Sequence, residues 1–105
     1  VLGTAGRHSP WIDWPDLAVA NADVIVLMPC GFDIERTRSE LAPVITRPEW
    51  QQLRAVSEGQ VFITDGHQFF NRPGPRLVES AEILAEILHP GRCDFGHHPD
   101  GWQPL

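Results

Sequence analysis

Long hydrophobic runs are missing from this sequence: the longest, Val24 to Met28, covers five residues, against the roughly 20 that a bilayer-spanning helix needs. Basic charge is also scarce. Eight Lys and Arg face fourteen Asp and Glu, giving a net charge of −6 and a pI near 5.2, which argues against nucleic acid or an anionic membrane surface as partner. Only two cysteines occur, Cys30 and Cys93. They allow one disulfide at most, and nothing in their spacing requires it, so free thiols are expected. There is no internal repeat and no signal peptide, and the first residue is Val. That opening suits a processed chain or an excised fragment, so compartment is not legible from it.

What remains describes one domain. A chain of 105 residues can bury roughly two thirds of its unfolded surface, and a hydrophobic content of 42% is ordinary for a globular protein. Val1 to Pro10 is irregular and Gly-containing. Trp11 to Asn21 contains a short helix, with Asp13 as N-cap, Pro15 in the first turn and Asp16 at the positive helix end. Val24 to Met28 reads as a strand buried on both faces. Asp33 caps a helix through about Ala42, ended by Pro43. Pro48 begins another, with Trp50, Leu53 and Val56 on one face. Val61 to Thr64 is a second strand, and Pro75 opens a helix whose Leu77, Val78, Ala81, Leu84, Ala85 and Leu88 form an apolar stripe. Residues 91–105 have the composition of a loose tail.

This order predicts an α/β fold, a three-layer Rossmann-like lobe with a short parallel sheet flanked by helices over residues 1–90. Two strands are few for such a sheet, so truncation at its first strand is expected. The segment DGHQFFNRPGPR, Asp65 to Arg76, sets Phe69 and Phe70 at the carboxyl mouth of the second strand, where ligands of parallel sheets sit. Two large rings there predict binding rather than chemistry.

The run SPWIDWPDLAVANADVIVLMPCGFDIERT, with the later block DGHQFFNRPGPRLVESAEILAEILHP, resembles the C-terminal lobe of helical-backbone ABC-transporter substrate-binding proteins, and among these the cobalamin-binding ones. The similarity covers roughly Val1 to Pro90. It implies a periplasmic or lipid-anchored binding protein whose N-terminal lobe and linking helix lie upstream, with cobalamin or a related corrinoid held between the lobes. It implies no enzymatic activity and no resident cofactor. Trp11 would stack on the ligand, since a rigid indole offers stacking area at low entropy cost. Phe69 and Phe70 would divide, one towards the core and one towards the cleft, with Phe69 the expected ligand wall. Asn71 would hydrogen-bond a ligand amide and Phe32, in MPCGFD, would add a weaker contact. Arg72 and Arg76 would brace the loop. Asp16 would dock in an arginine pocket of the membrane permease.

Other readings compete. An iron-siderophore or haem binder of the same superfamily would rely on Arg72. A small enzyme or metal module would use Cys30 with His67, or gather Cys93, Asp94, His97 and His98 around a transition metal. Glu79, Glu82 and Glu86 read as the solvated face of the last helix, and Gly3 and Gly6 form no phosphate loop because no strand precedes them.

Overall fold

The computed structural model describes residues 4–8, 10–71 and 74–105. The expectations placed on Gly3 and Arg72 lie outside these residues. Helix α1 (Trp14–Ala20) starts after Asp13, whose carboxylate lies 3.5 Å from the Asp16 N–H, and ends at Asn21 in the left-handed region. Strand β1 (Ile25–Leu27) is shorter than the apolar run that encodes it. Helix α2 (Ile34–Ile45) is capped by Asp33, which accepts the Arg36 N–H at 2.8 Å.

The expected break at Pro43 does not occur. Pro43 sits inside α2 and gives up one helical hydrogen bond, but Val44 and Ile45 beyond it pack on the core around Trp50. Their burial outweighs the lost bond. The single helix expected from Pro48 is instead two short ones, α3 (Pro48–Gln51) and α4 (Arg54–Ser57), joined at an extended Leu53. Trp50, Leu53 and Val56 still reach one cluster, with Val61. Strand β2 (Val61–Thr64) lies where the sequence places it, and α5 (Arg76–Leu88) follows Pro75.

The protein is a small α/β fold built on a three-stranded sheet of order β1-β2-β3, where β3 is Trp102–Pro104. β1 pairs parallel to β2, Val26 beside Phe62, whereas β3 pairs antiparallel to β2, Ile63 beside Gln103. A wholly parallel sheet is thus corrected to a mixed one. The expectation of an irregular tail is corrected with it, because the tail supplies β3. Glu86 explains the ordering: its carboxylate accepts from the Trp102 indole N–H (2.6 Å) and the Phe95 and His97 N–H groups (2.6 and 3.2 Å).

Two apolar clusters meet the sheet. One joins Trp50, Leu53 and Val61 to Trp14, Leu17, Ile25 and Leu27. The other joins Phe69, Ile83 and Ile87 to Val24, Val26, Phe62 and Trp102. Along β1 the neighbours therefore alternate between clusters, as a strand's period of two requires. Helix α5 turns Ser80, Ile83, Glu86 and Ile87 inward. The longer stripe read from sequence lies off that face, with Leu77 56% and Leu88 50% exposed.

Candidate functional site

The carboxyl ends of β1 and β2 open into two loops, residues 28–33 and 65–71, which carry most of the expected site residues. The structure zips these loops together. Gly31 N–H donates to Gly66 C=O at 3.2 Å, and His67 N–H to Phe32 C=O at 3.1 Å. The Asn71 side-chain amide donates to Met28 C=O (3.3 Å) and Gly66 C=O (3.2 Å). Gly66 is needed for this approach: a Cβ there would sit 2.9 Å from the Pro29 carbonyl carbon and closer still to its oxygen. Asp65, buried at the end of β2, accepts from the His67 and Gln68 N–H groups at 2.9 and 2.8 Å and from the Gln68 side-chain amide at 3.0 Å. It fixes the first turn of the second loop.

Both rings of the aromatic pair pack on the α5 cluster, Phe69 buried and Phe70 half-buried. Phe69 is 8% exposed and packs on Ile83 and Ile87, so the expectation that it walls a ligand is corrected. The sheet offers Phe69 an apolar seat that its position after Asp65 reaches directly. Phe70 is the half-buried ring and holds φ at 61°, a conformation that costs a non-glycine residue of order 1–3 kcal/mol. A tight bond from Asn71 N–H to Phe69 C=O (2.6 Å) and one from Phe70 N–H to Ser80 Oγ (2.9 Å) hold it there, and Ser80 donates onward to Arg76 C=O. Arg76 braces the loop, donating to Gln68 Oε1 at 3.0 Å with its guanidinium 5.4 Å from the Phe69 ring centroid.

Asn71 therefore spends its amide donors on the loops, although its side chain stands at the exposed rim. Phe32 is half-buried beneath Arg36, whose guanidinium lies 3.8 Å from the ring centroid, a cation–π contact. Trp11 is fully exposed and buries no part of its ring. Asp16 is exposed in the first turn of α1. The 28–33 and 65–71 loops thus adjoin, with Phe32 and Asn71 where they meet, Phe70 half-buried against the α5 cluster, and Trp11 standing in solvent.

Two hollows flank this rim. A mostly apolar one of about 370 Å³ is lined by Val26, Met28, Pro29, Phe32 and Leu41, with Glu40 among them. A polar one of about 810 Å³ lies on the Asp33 and Asp65 side, with Glu35, Arg38, Asp100 and Gln103. Arg38 is engaged there by Gln103 Oε1 (3.2 Å) and Pro104 C=O (3.0 Å). Both hollows are large enough for part of a small molecule.

Cys30 and Cys93 are free thiols, Cys30 exposed and Cys93 half-buried. Among the described residues, no three His, Cys, Asp or Glu side chains are placed to hold a metal ion. His97 is instead paired with Glu82 at 2.7 Å and meets the Phe69 ring edge-on. The expected solvated face of α5 is corrected here. Glu86 is only 5% exposed, and Glu82 is half-covered by His97. Sequence reasoning missed Glu86; the available signal was an acid set beside Ile83 and Ile87 in an otherwise apolar stretch. Burial pushes its carboxyl pKa up, but the Trp102, Phe95 and His97 hydrogen bonds outweigh this and hold it below the ordinary glutamate value. Compared with family models, curated proteins and solved structures, the chain matches none.

Proposed function

We propose that this chain is one lobe of a bacterial ABC importer's substrate-binding protein, a three-layer Rossmann-like unit that grips a corrinoid such as cobalamin against a second lobe without altering it. The observation that carries this reading is the fused rim at the carboxyl ends of β1 and β2, set between two hollows and held by Gly66 and Asn71. Rigid rims of this kind lower the ordering cost of binding. The full exposure of Trp11 adds support, since an indole left in water is a large apolar surface available to a ligand or second lobe. The apolar clusters on alternate β1 side chains suit a layered lobe, in which a further strand would flank β1. On this reading Phe32, with Met28 and Leu41 of the apolar hollow, supplies the apolar wall, Asp16 meets the permease, and transport is powered elsewhere in the complex.

Equilibrium dialysis with cyanocobalamin, read alongside Trp fluorescence quenching, tests it. The lobe alone should bind weakly, above micromolar, because half of the grip is supplied by the other lobe. Trp11→Phe should reduce the quenching while leaving the far-UV circular dichroism unchanged. Binding of a ferric chelate in place of cyanocobalamin would move the reading to a siderophore or haem carrier. No binding of either at millimolar concentration would refute it.

A further inference from the structure

Charge around the rim is one-sided. Asp33, Glu35, Asp65 and Asp100 line the polar hollow against a single guanidinium, that of Arg38. Glu40 stands on the other hollow. Five of the fourteen acidic side chains thus line the two hollows, with one of the eight basic ones, so the negative charge of the chain is concentrated here. Among the described residues none of the five is ion-paired.

The bonds these carboxylates accept come from neutral donors. Asp33 takes the Arg36 N–H, and the buried Asp65 takes the His67 and Gln68 N–H groups and the Gln68 side-chain amide. Such bonds fix a carboxylate without cancelling its charge. Neighbouring cations are committed elsewhere. Arg38 donates to Gln103 Oε1 and Pro104 C=O, and Arg36 lies 3.8 Å over the Phe32 ring. Arg76, behind Gln68, is countered by Glu79 at 3.8 Å. A concave surface lined by charge of one sign focuses its field and concentrates ions of the opposite sign.

We infer that the rim selects its cargo by charge, taking a molecule that joins an apolar face to a cationic group and turning away anionic ones. The apolar face lies against Met28, Phe32 and Leu41, and the cationic group is drawn to Glu40 or across the rim to Asp33 and Glu35. That the cargo is a corrinoid rests on the transport reading; the sign of its charge rests on these side chains alone. A ferric chelate with net negative charge is disfavoured on the same ground.

Paramagnetic relaxation reads the sign of the field in the unaltered chain. The probes are aminomethyl-PROXYL, carbamoyl-PROXYL and carboxy-PROXYL, nitroxides of similar size that are cationic, neutral and anionic. At low salt the cationic probe should relax the amide protons of Gly31, Phe32, His67 and Asn71 about fivefold more than the anionic one. The ratio should be smaller over α3 and α4, where Arg47 and Arg54 pair with Glu49 and Asp23. In about 1 M salt, where the Debye length is ~3 Å, it should fall towards one. Glu35→Gln/Glu40→Gln, altering two exposed side chains, should cut the low-salt ratio by about half with unchanged circular dichroism. Equilibrium dialysis then compares cyanocobalamin with two derivatives, one with a side-chain amide hydrolysed to a carboxylate and one with that amide extended by a primary amine. The amine should bind tightest and the carboxylate weakest, about tenfold apart at low salt. Equal relaxation by the two charged probes at the rim, or a ratio no larger there than over α3 and α4, overturns the inference. So does a carboxylate derivative that binds as tightly as the amine. If no corrinoid binds while the cationic probe gathers at the rim, the transport reading falls and the selection by charge stands.

Discussion

Replacing Glu86 by Ala should unmoor the tail. Its carboxylate is 5% exposed and accepts three hydrogen bonds, from Trp102 Nε1, Phe95 N and His97 N. Hydrogen bonds to a charged group contribute about 1.5–3 kcal/mol each, and bonds sharing one acceptor group are not additive, so truncation should cost about 3–5 kcal/mol. For a domain whose whole stability is of order 5–15 kcal/mol, that is a large fraction. Glu86→Gln is the finer probe. It keeps one oxygen for the Phe95 and His97 N–H groups but can turn an NH2 towards the Trp102 indole donor, and should cost about 1–2 kcal/mol. Urea denaturation by circular dichroism gives both values, and amide exchange shows whether 95–104 opens first. The pH dependence has a definite sign. The folded carboxyl lies below its unfolded value, so its contribution is complete above the ordinary glutamate range and is lost as pH falls through the folded pKa. Glu86→Gln should flatten that acid limb. A Glu86→Ala cost below about 1 kcal/mol, with unchanged exchange in the tail, would refute this account of why the tail is ordered.

Three further outcomes follow from the same geometry. Gly66→Ala should cost at least about 2 kcal/mol in urea denaturation, because the new methyl meets the Pro29 carbonyl and the two loops must part; a neutral result would mean that they separate freely. Asn71→Ala removes two donated bonds and should cost about 1–2 kcal/mol, with faster exchange at Gly31 and His67 as the local sign. Phe69→Ala should cost about 3–4 kcal/mol, as for other buried aromatics, whereas Trp11→Ala should stay within about 0.5 kcal/mol. Equal losses at the two positions would show that Trp11 packs on the fold.

Local chemistry was readable where it is self-contained. Asp13 and Asp33 cap the helices that follow them, and Val61–Thr64 is a strand between turn residues. Failures came where a distant partner decides. Trp102, Gln103 and Pro104 have no strand pattern, and a proline among them argues against one. They pair with β2 because Glu86, sixteen residues earlier, holds the Trp102 indole. Helix α5 offers two apolar arcs, and periodicity favours the one with more leucines. The sheet takes Ile83 and Ile87, on whose side Glu86 also reaches the tail. At the rim, sequence placed Phe32, Phe70 and Asn71 on adjoining loops. It expected one of the two rings to turn inward but took Phe69 for the outward one, and it gave no sign that Asn71 would spend its donors on the backbone of Met28 and Gly66.

The stapling of residues 28–33 to 65–71 also limits how a guest could be enclosed. With Gly31, His67 and Asn71 bridging the turns and Gly66 leaving no gap at Pro29, neither turn can swing as a flap by itself. Any shutting over a captured molecule must displace the whole body, so the pivot for that movement belongs outside these turns.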